Sequence, residues 1–293
     1  GALTLTGATG IDFGAGVALT VGGTLTMSTT SGDISGTGAF TLTSTGNISL
    51  GDNLTTAGAT VITADSDSNG AGDFSINSSK TLSTGNNSLT LTANDITVSG
   101  SISSGTGSTT IAVSDGGTIG LGDTLGNMSI SGAELANITA GILNIGNSST
   151  GNITVDNISA ANSNNANTLN LITASDSSVS FSNSNSTFNS LTANTGSISF
   201  GSGLTVATDT GKLSINSTSI ASAGALTLAG ATGIDFGAGV TFTAGGDLTM
   251  STTSGDLTGA GAFTLASTGN ISLSENLTTA GATVITADSD SNG

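Results

Sequence analysis

ALTLTGATGIDFGAGVALTVGG, residues 2–23, holds three short runs in which apolar side chains alternate with small or polar ones. In an extended chain Leu3 and Leu5 point one way and Thr4 and Thr6 the other, and Ile11 and Phe13 oppose Asp12 in the same manner. Alternation this brief, closed each time by Gly, spells strand, turn, strand, turn, strand. The template returns in AFTLTSTGNISLGDNLTTAG (39–58), NSLTLTANDITVSGSISSGTG (87–107) and STTIAVSDGGTIGLGDTLGN (108–127). Self-similarity every ~20 residues is the signature of a solenoid whose coils stack on one another. A β-sandwich also has short alternating strands, but it does not require its units to resemble one another. The sequence therefore predicts an all-β fold, a parallel β-solenoid with three strands per coil of about 20 residues.

Composition agrees with that geometry. In a stacked coil the same inward site recurs in every layer, so ladders of Leu, Ile and Val fill a narrow interior. Large aromatics fit poorly there, and the chain has nine Phe but no Trp or Tyr. Proline would remove a ladder donor in each coil it entered, and there is none. Glycine, at 45 residues, supplies corners with positive φ. The 35% of apolar residues, patterned as they are, argues against a disordered Ser/Gly-rich linker.

A second, longer period overlies the first. GALTLTGATGIDFGAGVALTVGGTLTMSTTSGD at Gly1 returns as GALTLAGATGIDFGAGVTFTAGGDLTMSTTSGD at Gly224, a spacing of 223 residues, with 11 differences over 70 aligned positions. Several exchanges conserve character: Leu19 becomes Phe242, Ile34 becomes Leu257 and Asp52 becomes Glu275. Residues 1–293 are expected to form one continuous solenoid, with 1–223 as one long repeat and 224–293 as the start of the next. About eleven coils would fit in one period and some fourteen in the chain, a rod roughly 65–70 Å long at ~4.8 Å per layer. Strand templates that run to both ends predict a rod without caps, read as a window from a longer array that grows covalently or stacks end to end.

Charge and missing residue types exclude several functions. Two basic residues against 19 acidic ones give −17, a poor match for a phosphate backbone or an anionic membrane. No apolar run is long enough to span a bilayer, and no signal peptide is visible at Gly1. Without His or Cys, most general-base and nucleophile arrangements are closed. The carboxylates, for instance Asp12, Asp33, Asp52 and Asp65, are spread thinly over turns, so no catalytic residue is expected.

The coil template, above all GALTLT with TGIDFGAGVALTVGGTLTM and AFTLTSTGNISLGDNLTTAG, resembles the repeat region of filamentous-haemagglutinin-type exoproteins, large bacterial surface adhesins exported by two-partner secretion. The resemblance runs through nearly the whole chain. It implies a right-handed parallel β-helix, an extracellular or cell-surface location, and a role in adhesion or matrix formation.

One motif points to chemistry. Asp65-Ser-Asp67-Ser-Asn69-Gly70-Ala71-Gly72-Asp73 places oxygen-bearing side chains at positions 1, 3, 5 and 9 with Gly at 6, the opening of a calcium loop. Position 12, where a bidentate Glu belongs, is Ile76. The same string recurs with Asp288, Asp290 and Asn292. The expected cofactor is calcium, held by these residues in a loop bulging from a corner; the alternative is a solvated turn, since Asp, Ser, Asn and Gly are turn formers. Thr-x-Thr pairs such as Thr4/Thr6, Thr41/Thr43 and Thr90/Thr92 would suit an ice-binding array, yet outward Thr is also the ordinary filling of an exposed strand.

The function expected is mechanical: a structural segment of a secreted surface or extracellular fibre, without catalysis. Its partners would be its own repeats or neighbouring fibres, meeting end to end or laterally. The alternative is an adhesin that recognises a receptor or glycan through loops on one face, for which the Asn/Ser-rich stretch 159–190 is the first candidate. A polysaccharide-processing β-helix is a distant third.

Overall fold

The computed structural model describes residues 1–290, and these wind into a parallel β-solenoid of about 13 turns, roughly 22 residues per turn, with about 3% helix. The coils are thus slightly longer and fewer than the sequence template suggests. Strands run from Leu3–Gly7 to Thr283–Thr286 without a second domain. A regular coil contributes one strand to each of three faces. The first face begins with Leu3–Gly7 on Leu25–Thr29, the second with Ile11–Phe13 on Ile34–Gly36, the third with Val17–Val21 on Phe40–Ser44.

The third face is the spine of the molecule. Twelve parallel strands pair in one unbroken ladder from Val17–Val21 to Leu277–Thr279. Their register stacks Leu19, Leu42, Ile62, Leu91, Ile111, Ile145, Leu171, Ala193, Ile215 and Phe236 in a single inward column. From Leu42 onward this column is buried, as are Leu25, Phe40, Ile48 and Leu50, while Leu3, Leu5, Ile11 and Phe13 of the first coil pack against it half-buried. Each such aliphatic side chain contributes roughly 1.5–3 kcal/mol by leaving water. On the outside, Asn144 and Asn170 continue the stacking in polar form: Asn170 Nδ2 donates to Asn144 Oδ1 at 2.8 Å, and Asn144 Nδ2 to Thr110 Oγ1 at 3.1 Å.

Between residues 114 and 165 the coil template fails. Ile119–Gly122 reads as an ordinary strand, but the chain then doubles back through Asp123–Asn127. Met128–Ile130 pairs beneath it on the same face, and Ile153–Asp156 above it. Two glycines permit the tight return: an added Cβ would stand 2.5 Å from the Thr124 carbonyl oxygen at Gly120 and 2.5 Å from the Gly120 nitrogen at Gly126. Below this extra strand the main-chain ladder is interrupted. No backbone pairing joins Ile96–Val98 to Met128–Ile130 among the described residues; side chains span the gap instead. Asp95 accepts from the Ser129 amide at 2.9 Å, Glu134 from the Val98 amide at 3.1 Å, and Asn137 donates to the Val98 carbonyl at 3.0 Å. Burial there pushes the Asp95 carboxyl above its usual range.

In the same region two single-turn helices enter the chain; the first precedes Ile138–Thr139, which still pairs with Ile102–Ser103 on the second face, and the second stands where that face has no strand. Helix α1 (Gly132–Ala136) is closed by a capping box in which Ser131 and Glu134 bond reciprocally, and α2 (Ala160–Ser163) stacks on it, so that Gly132 lies against Asn162.

The long repeat is out of phase with the coils. From Leu3–Gly7, nine further coils of the first face lead to Ser219–Ser222, and the copy of Leu3–Gly7, Leu226–Gly230, follows on the second face against Leu204–Thr208. Likewise Ile234–Phe236, the copy of the second-face strand Ile11–Phe13, joins the third-face spine. The 223-residue period therefore holds nine coils and one face. This corrects the expectation of about eleven coils.

Candidate functional site

The Asp65 string leaves the third face after Thr60–Thr63 and returns to the first face at Phe74–Ile76, a ten-residue corner where most are three or four. It bulges as the sequence predicts, but its side chains are arranged about the chain itself. Asp65 is fully buried, in the left-handed region at φ 55°. Its carboxylate accepts the amides of Asn69 at 3.0 Å and Gly70 at 3.1 Å, a longer contact from Ala71 at 3.5 Å, and the Ser114 hydroxyl at 2.5 Å. Burial alone would raise this carboxyl; the Ser114 hydroxyl and the three amides outweigh it and hold it below the ordinary range. Ser68 closes the other side by donating to the Ser114 carbonyl at 3.0 Å. Gly72 lets the chain pass, since a Cβ there would lie 2.3 Å from the Asp65 nitrogen.

The other members of the string are engaged locally. Asn69 donates to Asp67 at 2.9 Å, and Asp73 accepts from Asn94 at 2.9 Å. Ile76, at the place of the missing Glu, is buried in the core. Among the described residues no group of three or more His, Cys, Asp or Glu side chains is placed to hold a metal ion. The second copy repeats the fold of the first: Asp288 has φ 52°, its amide donates to the Gly269 carbonyl as that of Asp65 does to Gly46, and Ser289 repeats the bond of Ser66. Asp290 follows it in the described chain, whereas Asn292 lies outside the described residues.

The remaining carboxylates are dispersed along the rod, in strands such as those of Asp12 and Asp235 as well as in turns. Asp12 accepts from Ser35, and Asp33 from Asn53. Asp52 is bound by the Lys80 ammonium and by the hydroxyl and amide of Thr29, which lower its carboxyl to about 2. Lys212 pairs with Asp235 at 2.7 Å on the second copy.

What the sequence does not reveal is a groove of about 740 Å³ along the corner between the third and first faces. Five successive coils line it through Ser148, Thr173, Asn194, Thr195, Asn216 and Thr218 among others, with no charged side chain. Asn216 donates to Asn194 at 2.8 Å and Thr173 to Thr195 at 2.7 Å, so amides and hydroxyls form two rows parallel to the rod axis. The stretch 159–190 supplies only its second rung, at residues 172–175. The signal that could have found the groove is the vertical match of Asn-Thr (194–195) with Asn-Ser (216–217), visible once the strands are in register.

No known protein family, curated protein or solved structure matches this chain. The likeness to filamentous-haemagglutinin-type repeats rests on the quoted motifs alone. No helix among the described residues is long and apolar enough to cross a membrane.

Proposed function

We propose that this chain is a structural segment of a long secreted fibre, at the cell surface or in the extracellular matrix, built from tandem β-solenoid repeats and free of catalysis. One observation carries the reading: a 223-residue repeat re-enters the same ladder without interruption, with the third-face spine crossing from one copy into the next. Each coil touches only its neighbours, so such an array lengthens without a size limit. The carboxylates support the same reading, since Asp12, Asp33 and Asp52 each accept hydrogen bonds from a neighbouring coil and so tie layer to layer. The partners are further repeats of the same kind. Negative-stain images of the native material are expected to show unbranched rods a few nanometres wide and many times longer than this segment. Globular particles would overturn the proposal.

The corner groove favours a second reading, an adhesin that holds a neutral glycan lengthwise. An uncharged trough in a chain of net charge −17, edged by amides and hydroxyls at the layer spacing, suits a polyhydroxylated chain better than an ionic one. On this reading, affinity electrophoresis in neutral polysaccharides retards the protein, and Asn194→Ala with Asn216→Ala abolishes the retardation while leaving the melting curve in place. Equal mobility with and without polysaccharide removes the adhesin reading.

A further inference from the structure

We infer that tandem copies of this repeat turn their surface by one face per copy, so that a feature borne once per repeat is presented at all three corners of the fibre in rotation. The inference rests on the reading of the chain as part of an array. Its basis is the phase already visible between the two copies. Strand Leu3–Gly7 lies on the first face, and its copy Leu226–Gly230 on the second; Ile11–Phe13 lies on the second, and its copy Ile234–Phe236 on the third; Val17–Val21 lies on the third, and its copy Val240–Ala244 on the first. The corner strings obey the same rule. Asp65 follows a third-face strand, whereas Asp288 follows Thr283–Thr286, which pairs with Phe263–Ser267 in the first-face ladder.

The period spans 28 face positions, nine coils of three and one more; the strand added at Met128–Ile130 shares the first face with Ile119–Gly122 and so adds no position. Self-similarity makes this a rule for the array: a third copy begins on the third face, and a fourth returns to the first. At ~4.8 Å per layer a repeat advances about 45 Å, and the same corner recurs after about 130 Å.

This has a consequence for binding. A repeat of a whole number of coils would align every groove on one edge, giving a fibre with one adhesive side. The one-face advance instead distributes the groove of residues 148–238 over three edges. A fibre of three repeats then meets extended neutral polymers from every side, and multivalent attachment cross-links a three-dimensional matrix where one adhesive edge would pair fibres into ribbons.

Cysteine pairs on the outer surface of this chain test the phase directly. T205C/T227C and S219C/T241C join residues that are in register only if the second copy is advanced by one face. S199C/T227C and S214C/T241C would approach each other only if it were not. All six substituted side chains lie outside the core, and circular dichroism checks that each variant keeps its strand signal. Near-complete linkage by oxidation or a short bis-maleimide in the first two variants, with none in the other two, is expected. Linkage in the second set, or in neither set, overturns the inference. Because the measurement is made on the isolated chain, it stands apart from the fibre images: linked pairs without fibres would remove the array and leave the phase.

Discussion

Ile145→Asp is expected to divide the rod into two independently melting halves. Ile145 is fully buried at mid-length, stacked between Ile111 and Leu171 in the third-face column. An aspartate there must either bury a charge or bind a proton, and no donor in that apolar column compensates it; with the lost packing the cost is about 4 kcal/mol or more. In a compact globule such a cost would be spread over the whole fold. In a solenoid each coil is held only by its neighbours, so the break stays local and the coils on either side keep their own cores. Calorimetry should resolve two transitions where the unaltered chain gives one, and limited proteolysis should cut near residue 145. Asn144→Ala, on the outer face of the same strand, removes only two amide bonds at a cost of about 1 kcal/mol and should leave a single transition. A single transition at the original temperature for Ile145→Asp would contradict the ladder interior.

That interior was legible because every coil states it in the same terms. Leu3-Thr-Leu5, Phe40-Thr-Leu42 and Leu89-Thr-Leu91 each fix which side chains face inward, and stacking needs no more than repetition of the pattern. The phase of the repeat was not legible, because it depends on which layer a strand joins. Ile119-Gly-Leu121-Gly has the alternation of any other strand, yet it pairs with both Met128–Ile130 and Ile153–Asp156, a choice made by the fold-back at Gly120 and Gly126. Helix α1 did carry a local signal, the Ser131–Glu134 capping box, which is outweighed in a scan for period-two runs by the flanking Met128-Ser-Ile130 and Ile138. In the Asp65 string the residue types and spacing were read, but the direction of the Asp65 side chain was not. It is set by Ser114, which lies 49 positions away in sequence and reaches the loop only when the coils stack.

Asp65→Ala should therefore lower stability more than any other substitution in the turns, by about 2–3 kcal/mol, since it leaves three amides and a buried hydroxyl without their charged acceptor. Protease cleavage between residues 66 and 73 should become fast, while the exposed Asp67 can be replaced by Ala at little cost. Acid provides the independent test. A carboxyl whose value is lowered by folding contributes stability that is complete above its unfolded value of about 4, and loses it as pH falls through the folded value. Asp52, lowered to about 2 by Lys80 and Thr29, adds to the same acid window, so Asp65→Asn should weaken the acid dependence without abolishing it. Calcium separates the two uses of the string. With both Asp65 oxygens committed to the loop's own amides and to Ser114, added calcium or chelator should leave the melting curve of the unaltered protein where it is. If instead calcium raises melting and Asp67→Ala removes that rise, then Asp65, Asp67, Asn69 and Asp73 do gather around an ion, and the self-capped turn is the wrong account of why the string is kept in both copies.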